Sequence, residues 1–111
     1  MIHIIRTRAT PEQIAEMLTV FGNFIKLAVD IERDILAGGG ELHADCENIL
    51  LHDGSAQKNI WGADWVPDLS VVKFKALINI RPNQNNPSLM ILDPGIRQKV
   101  EQITRQLLEQ P

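Results

Sequence analysis

The chain is predicted to adopt an α+β fold: an antiparallel sheet of three to five strands with a long N-terminal helix and a C-terminal helix, both on one face. Three observations predict it. Apolar residues recur at three- and four-residue steps from Ile14 to Ile35, the repeat of one face of a helix. Residues 41–81 offer three strand-like stretches, separated by His52-Asp53-Gly54-Ser55 and Pro67-Asp68-Leu69-Ser70, both with turn chemistry. Near the end, Asp93-Pro94 supplies a cap followed by a proline at the first helical position, a strong helix start.

Residues 2–6 form a brief β-branched run that suits an edge strand. Thr10-Pro11-Glu12-Gln13 opens the first helix, with Thr10 as cap and Gln13 as its capping-box partner. Its apolar face is Ile14, Leu18, Phe21, Ile25, Ala28, Ile31 and Ile35, widened by Met17 and Phe24. Unbroken to Leu36 it would span about 39 Å at 1.5 Å per residue, long enough to offer a seam to a second copy, though Gly22 could bend it. Lys26 and Asp30 would pair across one helical turn, and Glu32, Arg33 and Asp34 would face solvent. The glycines at 38–40 read as a helix stop. A phosphate-cradling loop is the sharper reading, but such loops precede a helix N-terminus and do not follow a helix end. Strands are expected at 41–51, 59–66 and 71–81. A polar loop with two prolines, 81–87, follows, then a short strand at 88–92 and a helix with the face Ile96, Val100, Ile103 and Leu107.

At 111 residues the chain is read as one domain, 1–111, large enough for a core without staples. A net charge of −3 argues against a nonspecific nucleic-acid coat, which needs a basic surplus. One cysteine allows no internal disulfide and fits a reducing cytosol. No stretch approaches the roughly 18 apolar residues of a membrane span, and Met1 to Arg6 does not resemble a signal peptide. A cytoplasmic protein with no membrane partner is expected.

The hairpin after residue 59 can be registered. A four-residue loop, Pro67 to Ser70, pairs Val66 with Val71 and sets Trp65 against Val72, Ala63 against Phe74 and Trp61 against Ala76. The opposite face then holds Asp64 beside Lys73 and Gly62 beside Lys75. A one-residue slip would spoil both faces. The preceding strand has two parities. In one, Leu42, Ala44 and Cys46 join the tryptophans in the core, while His43, Asp45 and Glu47 share the polar face with Asp64, Lys73 and Lys75. In the other, His43, Asp45 and Glu47 are buried, which costs several kcal/mol for unpaired carboxylates. The first parity is preferred, although Ile49 and Leu51 then need a bulge near Asn48.

His43, Asp45, Glu47 and Asp64 are the candidate catalytic residues. Strand neighbours two apart are about 6.7 Å apart and those four apart about 13 Å, so His43 and Glu47 cannot share one ion. Directly opposite residues are about 5 Å apart, so a metal would use Asp45 and Asp64 with His43 or Glu47. Mixed nitrogen and oxygen ligands suit manganese, zinc or iron, and an all-oxygen set suits magnesium or calcium. A divalent ion there could activate water, with Lys73 or Arg81 steadying an anionic substrate. The plainer reading is a surface ion row of Asp45, Asp64 and Lys73, with Arg81 stabilising its loop. Trp61 and Trp65 read as core, and Cys46 as an inert filler.

Gly-Gly-Gly-Glu-Leu-His-Ala-Asp-Cys-Glu at 38–47, Trp-Gly-Ala-Asp-Trp at 61–65, Leu-Ile-Asn-Ile-Arg-Pro at 77–82 and Ala-Val-Asp-Ile-Glu-Arg at 28–33 resemble a family of short bacterial proteins known as a domain of unknown function. The resemblance spans nearly the whole chain. It implies a single-domain bacterial protein and no established activity, cofactor or catalytic residue. Two functions are therefore weighed. One is a noncatalytic regulatory or interaction module, homodimeric through the long helix or a sheet edge. The other is a small metal-dependent or acid–base hydrolase acting on an anionic substrate.

Overall fold

Apolar stretches with no clean alternation bury both faces of a sheet only when helices cover it on two sides. That is the arrangement in the computed structural model, which describes residues 1–111. In chain order the elements are β1 (His3–Ile5), α1 (Pro11–Leu18), β2 (Ile25–Asp30), β3 (Ile35–Gly38), α2 (His43–His52), β4 (Ile60–Val66), β5 (Val71–Lys73) and α3 (Pro94–Leu108). The five strands lie in the order β1-β3-β2-β4-β5, and every pairing is antiparallel. One face, with Leu27, Val29, Leu36, Trp61, Ala63, Trp65 and Val72, packs on Met17 of α1 and on Val100, Ile103 and Leu107 of α3. The other, with Ala28, Ala37 and Ile60, packs on Cys46 and Leu50 of α2. The α+β class and the antiparallel sheet hold, but the helices occupy both faces and not one.

The long first helix is not formed. Thr10 and Gln13 cap each other as expected, yet α1 ends at Leu18. The chain turns at Gly22, where φ is +83°, and residues expected to continue the helix become β2 and β3. Every residue of these two strands is buried except Lys26, which is half-buried. With both faces buried the period-2 signal vanishes, and the three- and four-residue spacing that remains imitates a helix. Lys26 and Asp30 are thus not a helical pair. Asp30 builds the hairpin turn, its Oδ1 accepting from the N–H groups of Glu32 (2.9 Å) and Arg33 (3.0 Å), and Asp34 closes it at φ +56°. Residues 31–34 are a turn, not a solvated helix face.

The expected strand at 41–51 is α2. Leu42 precedes the helix in extended conformation, and Asp45 in the first turn accepts from its N–H at 3.2 Å, a carboxylate where the helix dipole favours one. The glycines therefore stand after a strand and before a helix, the reverse of the expected helix stop. They are packed too tightly to cradle anything. A Cβ on Gly38 would lie 2.9 Å from Leu27 Cδ2, and one on Gly39, whose φ is +100°, would run into the Met1 carbonyl.

β4 and β5 pair in the expected register, with Asp64 opposite Lys73, Trp65 opposite Val72 and Val66 opposite Val71. β5 then stops at Lys73, well short of residue 81, and the pairs Ala63–Phe74 and Trp61–Ala76 do not form. Instead Ile91 N–H donates to the Phe74 carbonyl and Ala76 N–H to the Leu89 carbonyl, so the expected short strand at 88–92 is a single bridge between Lys75 and Met90. A side chain replaces the missing partner of β4. Asn79 is fully buried; its Oδ1 accepts from Gly62 N–H (2.8 Å) and its Nδ2 donates to the Gly62 carbonyl (3.0 Å). The same Nδ2 reaches the Phe74 and Leu89 carbonyls. Asn86, also buried, donates to the Asn79, Ser88 and Met90 carbonyls. Gly62 has to be glycine, since a Cβ would lie 2.5 Å from that of Ala76.

Asn79→Ala strands the buried N–H and carbonyl of Gly62, and each unmet buried group costs about 1–3 kcal/mol. Urea unfolding is expected to show a loss of about 2–4 kcal/mol on that principle, with Asn79→Asp no better because a carboxylate cannot donate to the surrounding carbonyls.

Candidate functional site

As a helix, residues 43–52 turn His43, Cys46, Glu47 and Leu50 onto one stripe, the spacing of a single face. Each finds a different partner. His43 Nε2 lies 2.8 Å from Asp64 Oδ1 and 3.2 Å from the Ala63 carbonyl. Two acceptors around one ring nitrogen make it the N–H donor, and the neutral ring then carries its lone pair on Nδ1. Nδ1 has no hydrogen-bond partner, and it is not among the polar side-chain atoms sealed from solvent without one. The Cys46 thiol faces the Lys26 carbonyl at 3.6 Å. Burial pushes its pKa from 9.0 up to about 11, so it stays a thiol.

Glu47 is buried and accepts from Arg81 Nη2 at 3.3 Å. Arg81 is buried too. Its Nε donates to the Ile78 carbonyl (3.0 Å) and its Nη1 to the Gln57 carbonyl (2.7 Å), and its guanidinium lies 4.8 Å from the centre of the Trp61 ring. Loss of solvation lowers the Arg81 pKa, and the Glu47 charge opposes that shift. These contacts tie the loop after residue 76 to α2 and β4, so the side chain is occupied with structure.

Of the residues singled out in the sequence, His43 and Asp64 come together, with Lys73 across the ladder from Asp64. Asp45 is turned to its own helix start, and Glu47 belongs to the Arg81 pair. No three His, Cys, Asp or Glu side chains converge in a way that could hold a metal ion. Trp61 and Trp65 are core residues as expected, at 1% and 2% exposure, although the Trp61 indole N–H is left without an acceptor.

Two further residues complete the site, and of these the sequence places only Lys75 on the face of Asp64. Lys26 stands beside Asp64 on β2, in register with it, and Lys75 follows β5. Both line a cleft of about 330 Å³ with Leu42, His43, Ala44, Ala76, Leu77, Ile78 and Leu89. A second cleft of about 200 Å³, with Asn23, Phe24 and Leu69, reaches Asp64 and Lys73 from the other side. His43 lines the first cleft and its partner Asp64 the second. Lys26 escaped notice because it was placed on a helix; the Asp30-Ile31-Glu32-Arg33-Asp34 turn was the signal that would have put it on a strand.

Cys46 is expected to react with a disulfide probe such as Ellman's reagent only when the protein opens, at least about 100-fold more slowly in the native state, since reaction needs exposed thiolate. A thiol whose pKa is raised by folding binds its proton more tightly in the native state. Its contribution is complete below 9.0 and is lost as pH climbs towards about 11. Urea unfolding at rising alkaline pH, wild type against Cys46→Ala, reads that loss directly.

Comparison with known proteins yields a family model but no matching curated protein and no matching solved structure. The family model covers residues 3–107, from β1 nearly to the end of α3 and so across every element of the site. On that coverage, the chain belongs to the family described as Protein of unknown function (DUF5674).

Proposed function

We propose that this domain is a binding module for a small amphipathic anion, held in the cleft between the first turn of α2 and residues 75–78. The observation that carries the reading is the local charge. Lys26, Lys73 and Lys75 flank the one carboxylate of Asp64, and none of the three forms an ion pair, in a chain whose net charge is −3. Unpaired ammonium groups gathered on one face of an acidic protein raise the local concentration of anions. The rest of the lining is Leu42, Ala44, Ala76, Leu77, Ile78 and Leu89, which suits an apolar body behind the anionic group, the usual division of labour in a small-molecule site. Asp64 does not line this cleft and is engaged by His43.

Homodimerisation is the partner reading that goes with it. The long-helix seam on which it first rested does not exist, but Leu77, 76% exposed, borders both this cleft and the neighbouring one that Ile80 lines. We assign this apolar rim to a second copy of the chain.

Calorimetric titration with octanoate is expected to show saturable binding that octylamine does not, weakened at least about tenfold in a Lys26→Ala, Lys75→Ala double variant and by added salt. Equal response to acid and amine would sink the anion reading. Light scattering across a concentration series should give a dimer that Leu77→Glu returns to monomer; a wild-type monomer at high concentration excludes that partner.

A further inference from the structure

The cleft holds more than positive charge. We infer that it is a hydrolytic centre in which His43 is the general base, acting on a small carboxylic ester whose anionic group is held by Lys26 and Lys75. The inference rests on the binding reading above and adds a reaction to it.

The argument starts from the tautomer. Asp64 Oδ1 at 2.8 Å and the Ala63 carbonyl at 3.2 Å both need a hydrogen from Nε2. A neutral imidazole so held has its only lone pair on Nδ1, which has no hydrogen-bond partner and is not sealed from solvent. A buried carboxylate behind an imidazole orients the ring and stabilises the imidazolium that forms when the far nitrogen takes a proton. Here both members are mostly buried, with 12% and 18% of their side chains exposed, and the ring stands at the first position of α2, whose backbone fixes it. It lines the same cleft as Lys26 and Lys75, neither of which is ion-paired, and six apolar residues.

The step balances without a further reagent. Nδ1 takes a proton from water as the water oxygen bonds to the ester carbonyl carbon, giving a tetrahedral oxyanion. The carbon–alkoxy bond then breaks, and the proton on Nδ1 passes to the departing alkoxide. Ester and water become acid and alcohol. His43 is the catalytic residue, Asp64 a positioning residue, and Lys26 and Lys75 bind the anionic end. Cys46 stands one helical turn from His43 but is a buried thiol with a raised pKa, so water and not sulfur is the nucleophile.

The test uses the full chain with para-nitrophenyl hemisuberate as substrate and suberate as a nonreacting ligand. Wild type is expected to turn the ester over with saturation kinetics and a solvent deuterium isotope effect on kcat. His43→Gln should lower kcat at least about 100-fold, the scale of general-base catalysis, while still binding suberate. Asp64→Asn should lower kcat with little change in KM and should alter the pH profile of kcat, which a merely structural role would not do. Lys75→Ala should raise KM. Suberate binding without turnover by wild type overturns the catalytic inference and leaves the binding reading intact, whereas neither binding nor turnover overturns both. Turnover that survives His43→Gln overturns the assignment of the base. If thermal melting shows that His43→Gln does not fold, Asp64→Asn decides, and unchanged kcat there sinks the proposal.

Discussion

On the side away from β2, the N-terminal half of β4 has no strand beside it, and the fold depends on how that edge is closed. Register with β5 covers only Asp64 to Val66, so Gly62 would leave an N–H and a carbonyl unpaired inside the protein. Asn79 meets both with one side-chain amide, and glycine at 62 admits Ala76 and Ile78 against the strand. An amide can do this because it donates and accepts in one plane, as a peptide group does. The consequence reaches the cleft. Residues 75–78 form one of its walls, and they lie there because Asn79 holds the chain that follows them. Asn86 ties the far end of the same loop by three donated bonds. A polar loop with two prolines is thereby fixed as firmly as a strand.

How much could be read from the residues depended on whether a segment is buried on one face or two. Trp65 and Val72 turn to the core while Asp64 and Lys73 turn the other way, and the four-residue turn between the strands sets the register, so Asp64 opposite Lys73 was legible. Helix α3 was legible for a similar reason: Asp93 and Pro94 mark its start, and Val100, Ile103 and Leu107 form a single stripe. β2 and β3 were not. Sandwiched between α1 and α3 on one side and α2 on the other, they show no alternation, and a continuous apolar run cannot be told from a buried helix by period alone. Asp30 carried the missing information, because an aspartate accepting from residues two and three onward makes a turn.

The same ambiguity decided the candidate site. His43, Asp45 and Glu47 alternate, so as a strand they form one polar row; as a helix they scatter. On α2, His43 and Glu47 become neighbours on one stripe, about 6 Å apart instead of the 13 Å or so a strand imposes. The argument that they are too distant to act together therefore lost its premise. What separates them now is partnership, since each is claimed by a different element. The partner of Asp64 changes with the conformation: the strand reading sets Asp45 opposite it, and the helix brings His43 to it from above the sheet. Asp45 did not survive the change, since the third helical position turns it back to Leu42.

That division of partners sets the charge of the cleft. Glu47 lies one helical turn beyond His43, near enough to repel an anion if it were free. Arg81 neutralises it inside the protein, in a pair whose own burial is costly and is offset by the carbonyls of Ile78 and Gln57 and by the face of Trp61. Asp64 accepts a hydrogen bond from His43 at the other end of the stripe and keeps its charge. Two carboxylates that would oppose a bound anion are thus each engaged by a donor, while Lys26, Lys73 and Lys75 form no ion pair, Lys26 resting its ammonium over the Phe21 ring. The buried Glu47–Arg81 pair does little for stability that an apolar pair of equal volume would not do. Its effect on the cleft is to remove a negative charge from one side of it, and an apolar pair at 47 and 81 would serve that end equally. What an apolar residue at 81 could not supply is the pair of donors that the Ile78 and Gln57 carbonyls receive, and those bonds keep the loop, and with it Lys75, against α2.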